Sequence, residues 1–127
     1  MVHGMSRAIG AHIHVPHGLS NAMLLPAVTA FSAPNAMTRY AECARSMGIV
    51  NERDNEDIAV NKLIDELSAL NHDLKVPSPK EYGIGDNKYF SMLETMAEQA
   101  LASGSPANNP RVPSVEEIVA IYEEIWT

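Results

Sequence analysis

Apolar residues recur at spacings of three and four along most of this chain, and nowhere do they alternate over a useful length. That periodicity belongs to helices and predicts an all-α chain of five or six of them. Residues 18–32 are apolar on every side, through Leu19, Ala22, Met23, Leu24, Leu25, Ala27, Val28 and Phe31. A helix that is hydrophobic all round needs cover from a larger body. Pro26 within it lacks an N–H, which bends the helix and frees the carbonyl of Ala22. Residues 35–47 read as a second helix with Met37, Tyr40, Ala41, Ala44 and Met47 on one face, Cys43 placed there as a buried thiol, and Gly48 as the stop. A third, over 55–73, carries Val60, Leu63, Leu67 and Leu70, with Leu74 just beyond, and its acidic start (Asp54, Glu56, Asp57) suits the positive end of the helix dipole. Val76-Pro77-Ser78-Pro79 ends it, and residues 80–82 form at most one turn. A fourth, over 86–103, presents Tyr89, Leu93, Met96, Ala97, Ala100 and Leu101, with Gly104 as its stop. After a loop over 105–113, Ser114-Val115-Glu116-Glu117 has the form of a capping box. It opens a last helix with Val115, Ile118, Val119, Tyr122, Ile125 and Trp126 as its buried stripe.

The 127 residues suit one domain, and 46% hydrophobic residues are enough for a core. Aromatics make up only 6%, against seven methionines, so that core is aliphatic and Met23, Met92 and Met96 are filler in it. A net charge of −7 argues against nucleic acid and against anionic membranes. The longest apolar run, residues 22–31, is too short to span a bilayer. Cys43 stands alone, so no intrachain disulfide can form, and no basic segment leads into a hydrophobic stretch at the amino terminus. Both point to a cytoplasmic chain without a signal peptide.

The chemistry concentrates in residues 3–17, which hold four of the five histidines. Neutral imidazole is the commonest side-chain ligand for iron, zinc, copper and nickel. Fourteen positions separate His3 from His17. On one straight helix that is roughly 21 Å, whereas two ligands of one ion lie only a few Å apart. A shared ion therefore requires the chain to turn back between them. Gly10 can end a helix, Pro16 cannot continue one, and Gly18 adds freedom beside His17. His12 and His14 point the same way if that stretch is extended, and are otherwise polar positions on an exposed turn.

Gly4-Met5-Ser6-Arg7, Ile9-Gly10, and then Pro16-His17-Gly18-Leu19-Ser20-Asn21-Ala22 with Leu24-Leu25-Pro26 resemble the iron-containing (group III) alcohol dehydrogenases, in particular their 1,3-propanediol dehydrogenase and lactaldehyde reductase branch. The resemblance continues through Ala41-Glu42-Cys43-Ala44-Arg45-Ser46-Met47-Gly48 to Asn109-Pro110-Arg111. It implies the carboxy-terminal part of that family's helical, dehydroquinate synthase-like domain, so that residues 1–127 form a single helical unit without the nucleotide-binding domain. It also implies that His3 and His17 are two of the ligands of a divalent metal, Fe2+ or Zn2+. An Asp and a His from a preceding segment complete that metal site in the family. The implied reaction is hydride transfer between a small alcohol or diol and NAD(P), giving the aldehyde. Many members have a histidine four residues after the third ligand, close to the reacting atoms; here Arg7 takes that place, so a proton or substrate role of that histidine does not carry over. Arg7 is the one possible catalytic position, as a partner for a carboxylate or a cofactor phosphate, or else a solvated surface residue.

Three readings follow. The chain is the metal-bearing part of such a dehydrogenase, inactive alone. Or it is a non-catalytic helical module that associates into homo-oligomers through apolar surface around Leu24, Leu25 and Val28. Or it is a small metal-binding protein using His3, His12, His14 and His17. Asn109-Pro110-Arg111 edges the active-site cleft or is only a loop-to-helix turn, and the Glu-rich end (Glu116, Glu117, Glu123, Glu124) is a solvated face.

Overall fold

The computed structural model describes all 127 residues, and they form six α-helices with no strand. These are α1 (Val2–Ile13), α2 (His17–Ser32), α3 (Met37–Ser46), α4 (Glu56–Asp73), α5 (Asp86–Ala102) and α6 (Val115–Glu124), with short 3-10 turns at Ala33–Asn35 and Ser105–Asn108. The helix starts follow the sequence. Asn55 accepts the Ile58 N–H at 2.9 Å. Ser114 and Glu117 close the capping box reciprocally at 2.9 and 3.2 Å.

α1 packs between α5 and α2, α6 lies against α5 and α2, and α4 touches both α2 and α3. Met5, Ile9, Leu24, Met96, Ile118, Tyr89 and Tyr122 fill the main core. Buried polar groups must find partners, and both tyrosines do. The Tyr89 hydroxyl donates to the Tyr122 carbonyl at 2.8 Å, and the Tyr122 hydroxyl donates to the Met5 carbonyl at 2.9 Å. Burial pushes both phenols well above their ordinary pKa, so they stay neutral donors. A smaller cluster of Ala33, Ala41, Ala44, Ala59, Val60 and Leu63 joins α3 to α4.

Pro26 sits inside α2, and the carbonyl it leaves without a donor is taken up from another helix: Asn71 of α4 donates to the Ala22 carbonyl at 2.7 Å. This ties α2 to α4 at the point where the helix lost its own bond.

Four expectations are corrected. α2 is not covered all round: Leu25 is 40% exposed, whereas Leu24 and Val28 face inward into the chain's own core and are closed to a partner. Cys43 is exposed. It lies two residues past Ala41, roughly 200° round the helix, and so faces away from the side that α4 covers. Met47, Leu70 and Leu74 are also exposed: Met47 lies just past the end of α3, and the cluster between α3 and α4 reaches along α4 only as far as Leu67. Finally, α1 runs through Gly10 to Ile13. Pro16 and the extended conformation it imposes on Val15 end the helix, with His14 at φ 60° closing it through an N–H bond to the Gly10 carbonyl.

Candidate metal centre

The three residues His14–Pro16 carry the chain back along α1, so that α2 begins beside the first half of that helix and not beyond its end. Ser20 of α2 reaches the Ser6 carbonyl at 3.4 Å. His17, the first residue of α2, therefore meets His3 on the first turn of α1. The His3 Nδ1 and His17 Nε2 atoms are 3.1 Å apart, and the two rings meet nearly edge to face with centroids at 4.6 Å. The reversal required by the spacing of the two histidines is thus made, through Pro16.

Ser6 orients the pair. It is fully buried, and its Oγ lies 3.2 Å from the His3 carbonyl and 3.1 Å from His17 Nδ1. One assignment satisfies every group: His17 Nδ1–H donates to Ser6 Oγ, and the Ser6 hydroxyl donates to the His3 carbonyl. The Nε2 of His17 is then a bare lone pair aimed at His3 Nδ1. An outer partner of this kind fixes the tautomer and orientation of a ligating histidine. Two nitrogens 3.1 Å apart, each about 2.0–2.1 Å from one ion, subtend roughly 95–102°. That angle fits tetrahedral or octahedral coordination, so the pair suits two adjacent positions of a metal shell.

No third His, Cys, Asp or Glu joins them. His12 donates through Nε2 to Gln99 Oε1 at 2.7 Å, and His14 is an exposed helix cap. The four histidines do not converge, which overturns the reading of an autonomous four-histidine site. Gly4, Ser6, Arg7, Gly10, His17, Gln99 and Ser103 border a groove of about 610 Å³ along α1 and α5, with His17 supplied by the start of α2, so Arg7 and His17 line the same groove. Gly4 makes this approach possible, since a Cβ there would stand 3.1 Å from the Ala100 carbonyl. Asn109-Pro110-Arg111 lies elsewhere, as a tie between helices. Asn109 donates to Ser32 at 2.8 Å, while Arg111 pairs with Glu117 and stacks on Phe31 at 4.1 Å. Ser6 and Gln99 were not singled out from the sequence. The available signal for Ser6 was its place one turn after His3.

The C-terminal region of the Fe-containing alcohol dehydrogenase family matches residues 1–126. The chain belongs to the iron-containing alcohol dehydrogenase family. Among curated relatives it is 34% identical over 126 residues to lactaldehyde reductase of Escherichia coli (strain K12), covering 99% of this chain and 32% of that protein. It is 30% identical over 125 residues to the NADPH-dependent butanol dehydrogenase of Clostridium saccharobutylicum, covering 98% and 32%. Among solved structures, a 1,3-propanediol oxidoreductase superposes with a TM-score of 0.88 at 30% identity, over 98% of this chain and 32% of that one. The chain thus spans about a third of the length of the relatives it matches.

Proposed function

We propose that the chain is the metal-bearing, C-terminal part of an NAD(P)-dependent alcohol dehydrogenase acting on a small alcohol or diol and its aldehyde. His3 and His17 supply two ligands of a divalent ion, Fe2+ or Zn2+. The observation that carries this reading is the 3.1 Å approach of two imidazole nitrogens, one of them turned by a buried serine. Support for the substrate class comes from relatives named for butanol, lactaldehyde and 1,3-propanediol. When bound, the metal supplies Lewis acidity toward a substrate oxygen and NAD(P) supplies hydride chemistry. The chain's own residues do the positioning: Pro16 ends the reversal, His3 and His17 present lone pairs, and Ser6 holds the His17 tautomer. The remaining ligands lie outside these 127 residues.

Equilibrium zinc or cobalt titration of the purified chain tests this. Two ligands give weak binding, lost in His3→Ala or His17→Ala and kept in the His12→Ala/His14→Ala double variant. Ser6→Ala weakens it by about 10–100-fold, as expected for an outer partner. Binding that survives His17→Ala and vanishes in the double variant refutes the assignment. The 127 residues alone should give no NAD reduction with 1,2- or 1,3-propanediol, since nothing in them holds both reactants together.

A further inference from the structure

The groove beside the histidine pair has an electrostatic character the rest of the chain lacks. The protein carries 16 Asp and Glu against nine Lys and Arg, yet no carboxylate borders this groove and Arg7 does. By contrast, Glu94, Glu116 and Glu123 line the groove between α5 and α6. Arg7 takes part in none of the chain's ion pairs. It stands one turn after His3 on α1, so the two side chains start about 5–6 Å apart on one helix face. On the opposite wall Gln99 spends its carbonyl oxygen on His12, which leaves its amide N–H groups for another acceptor. The other lining residues are small or neutral: Gly4, Ala8, Ala11 and Ala102 among them. A guanidinium presents a planar donor fork matched to carboxylate and phosphate.

We propose that Arg7 anchors an oxyanion of the small molecule that occupies this groove, one helical turn from the imidazole pair. On the reading of His3 and His17 as metal ligands, this makes Arg7 a specificity residue. The substrate then carries a carboxylate a few bonds from its hydroxyl, and a hydroxy acid is preferred over a neutral diol. A phosphate, as in a dinucleotide, is the other source of the same chemistry.

The test is NMR titration of the metal-free chain, following the Arg7 Nε–H and the His17 ring. The probes are 3-hydroxypropionate, 1,3-propanediol and inorganic phosphate. The two organic probes differ in one terminal group, a carboxylate against a hydroxymethyl. The hydroxy acid should saturate the Arg7 signal at least tenfold more tightly than the diol. Arg7→Gln should remove that preference, and Arg7→Lys should keep part of it. Phosphate binding tighter than the hydroxy acid at Arg7 also supports the anchor and assigns it to a phosphate-bearing ligand. Equal binding of the neutral diol, or an unchanged preference in Arg7→Gln with the His17 ring signals intact, overturns the proposal. His3→Ala, at a residue of the pair that does not line the groove, separates the two readings: it should abolish metal binding and leave oxyanion affinity within about twofold.

Discussion

The cluster joining α1, α2, α5 and α6 is filled by methionine, isoleucine, leucine and two tyrosines, whereas the one joining α3 to α4 rests on four alanines with Val60 and Leu63. Small residues let α3 and α4 approach closely but bury little apolar area, and burial is worth about 25 cal/mol per Å². The larger cluster also contains a relay of two buried hydroxyls running from α5 to α6 and from α6 to α1. His3 and His17 are mounted on α1 and α2, within that better-filled body. On the proposed reading the two histidines are metal ligands and have to be held in place, while the α3–α4 pair carries no part of that site and is free to open at lower cost.

The largest effects should separate the two clusters. Leu24→Ala removes a fully buried side chain from the main core and should cost about 2–5 kcal/mol in urea unfolding. Leu63→Ala should fall at the lower end of that range, and amide exchange should speed up over α3 and α4 with α1 and α5 still protected. Equal loss of protection in both regions would erase the distinction drawn between them.

Next in size is the hydroxyl relay. Tyr122→Phe removes the second donor of the Met5 carbonyl, which keeps its bond within α1, and should cost about 0.5–1.5 kcal/mol. The relay also sets an alkaline limit. Burial raises the pKa of both phenols above the ordinary 10.0, so the fold favours the neutral form. Its stability is complete below pH 10 and declines as the pH climbs above it, because the unfolded chain ionises first. Tyr122→Phe should flatten that decline; an unaltered alkaline slope would remove the relay from the account.

Asn71 joins the two regions by donating to the carbonyl that Pro26 leaves open in α2. Asn71→Ala should cost about 1 kcal/mol, with the exchange change centred on α2 and α4. The smallest effect is expected at exposed Cys43. Cys43→Ser should shift stability by less than about 0.5 kcal/mol, and a thiol reagent should modify the native protein without denaturant.

Local chemistry made much of this legible. The positions of α2 to α6 followed from periodicity, whereas α1 was not placed as a helix in advance; the capping box followed from Ser114 and Glu117, and the orphaned Ala22 carbonyl from Pro26 alone. The partners of those groups were not legible, because they come from distant segments: Asn71 is 49 residues from Ala22, and Gln99 is 87 from His12. Cys43 was misplaced because a helix that buries only two alanines covers a narrow arc, and a small apolar residue outside that arc costs little to expose. Gly10 can end a helix but does not do so here, because glycine destabilises a helix interior by only about 1 kcal/mol, whereas Pro16 forbids continuation. Ile121, buried on α6, sits one turn past Ile118 and belonged to the stripe. The histidine pair was read from its spacing and from the family resemblance together; Ser6, which aims it, emerged only from the packing of α2 on α1.

The most direct measurement is long-range proton–nitrogen NMR of the histidine rings before and after adding zinc. His17 should be protonated at Nδ1, against Ser6, and bare at Nε2. Zinc should then move the resonances of His17 Nε2 and His3 Nδ1 together, leaving His12 and His14 in place. A His17 protonated at Nε2 with zinc shifts confined to His12 and His14 would contradict the assignment of His3 and His17 as the chain's share of a metal centre.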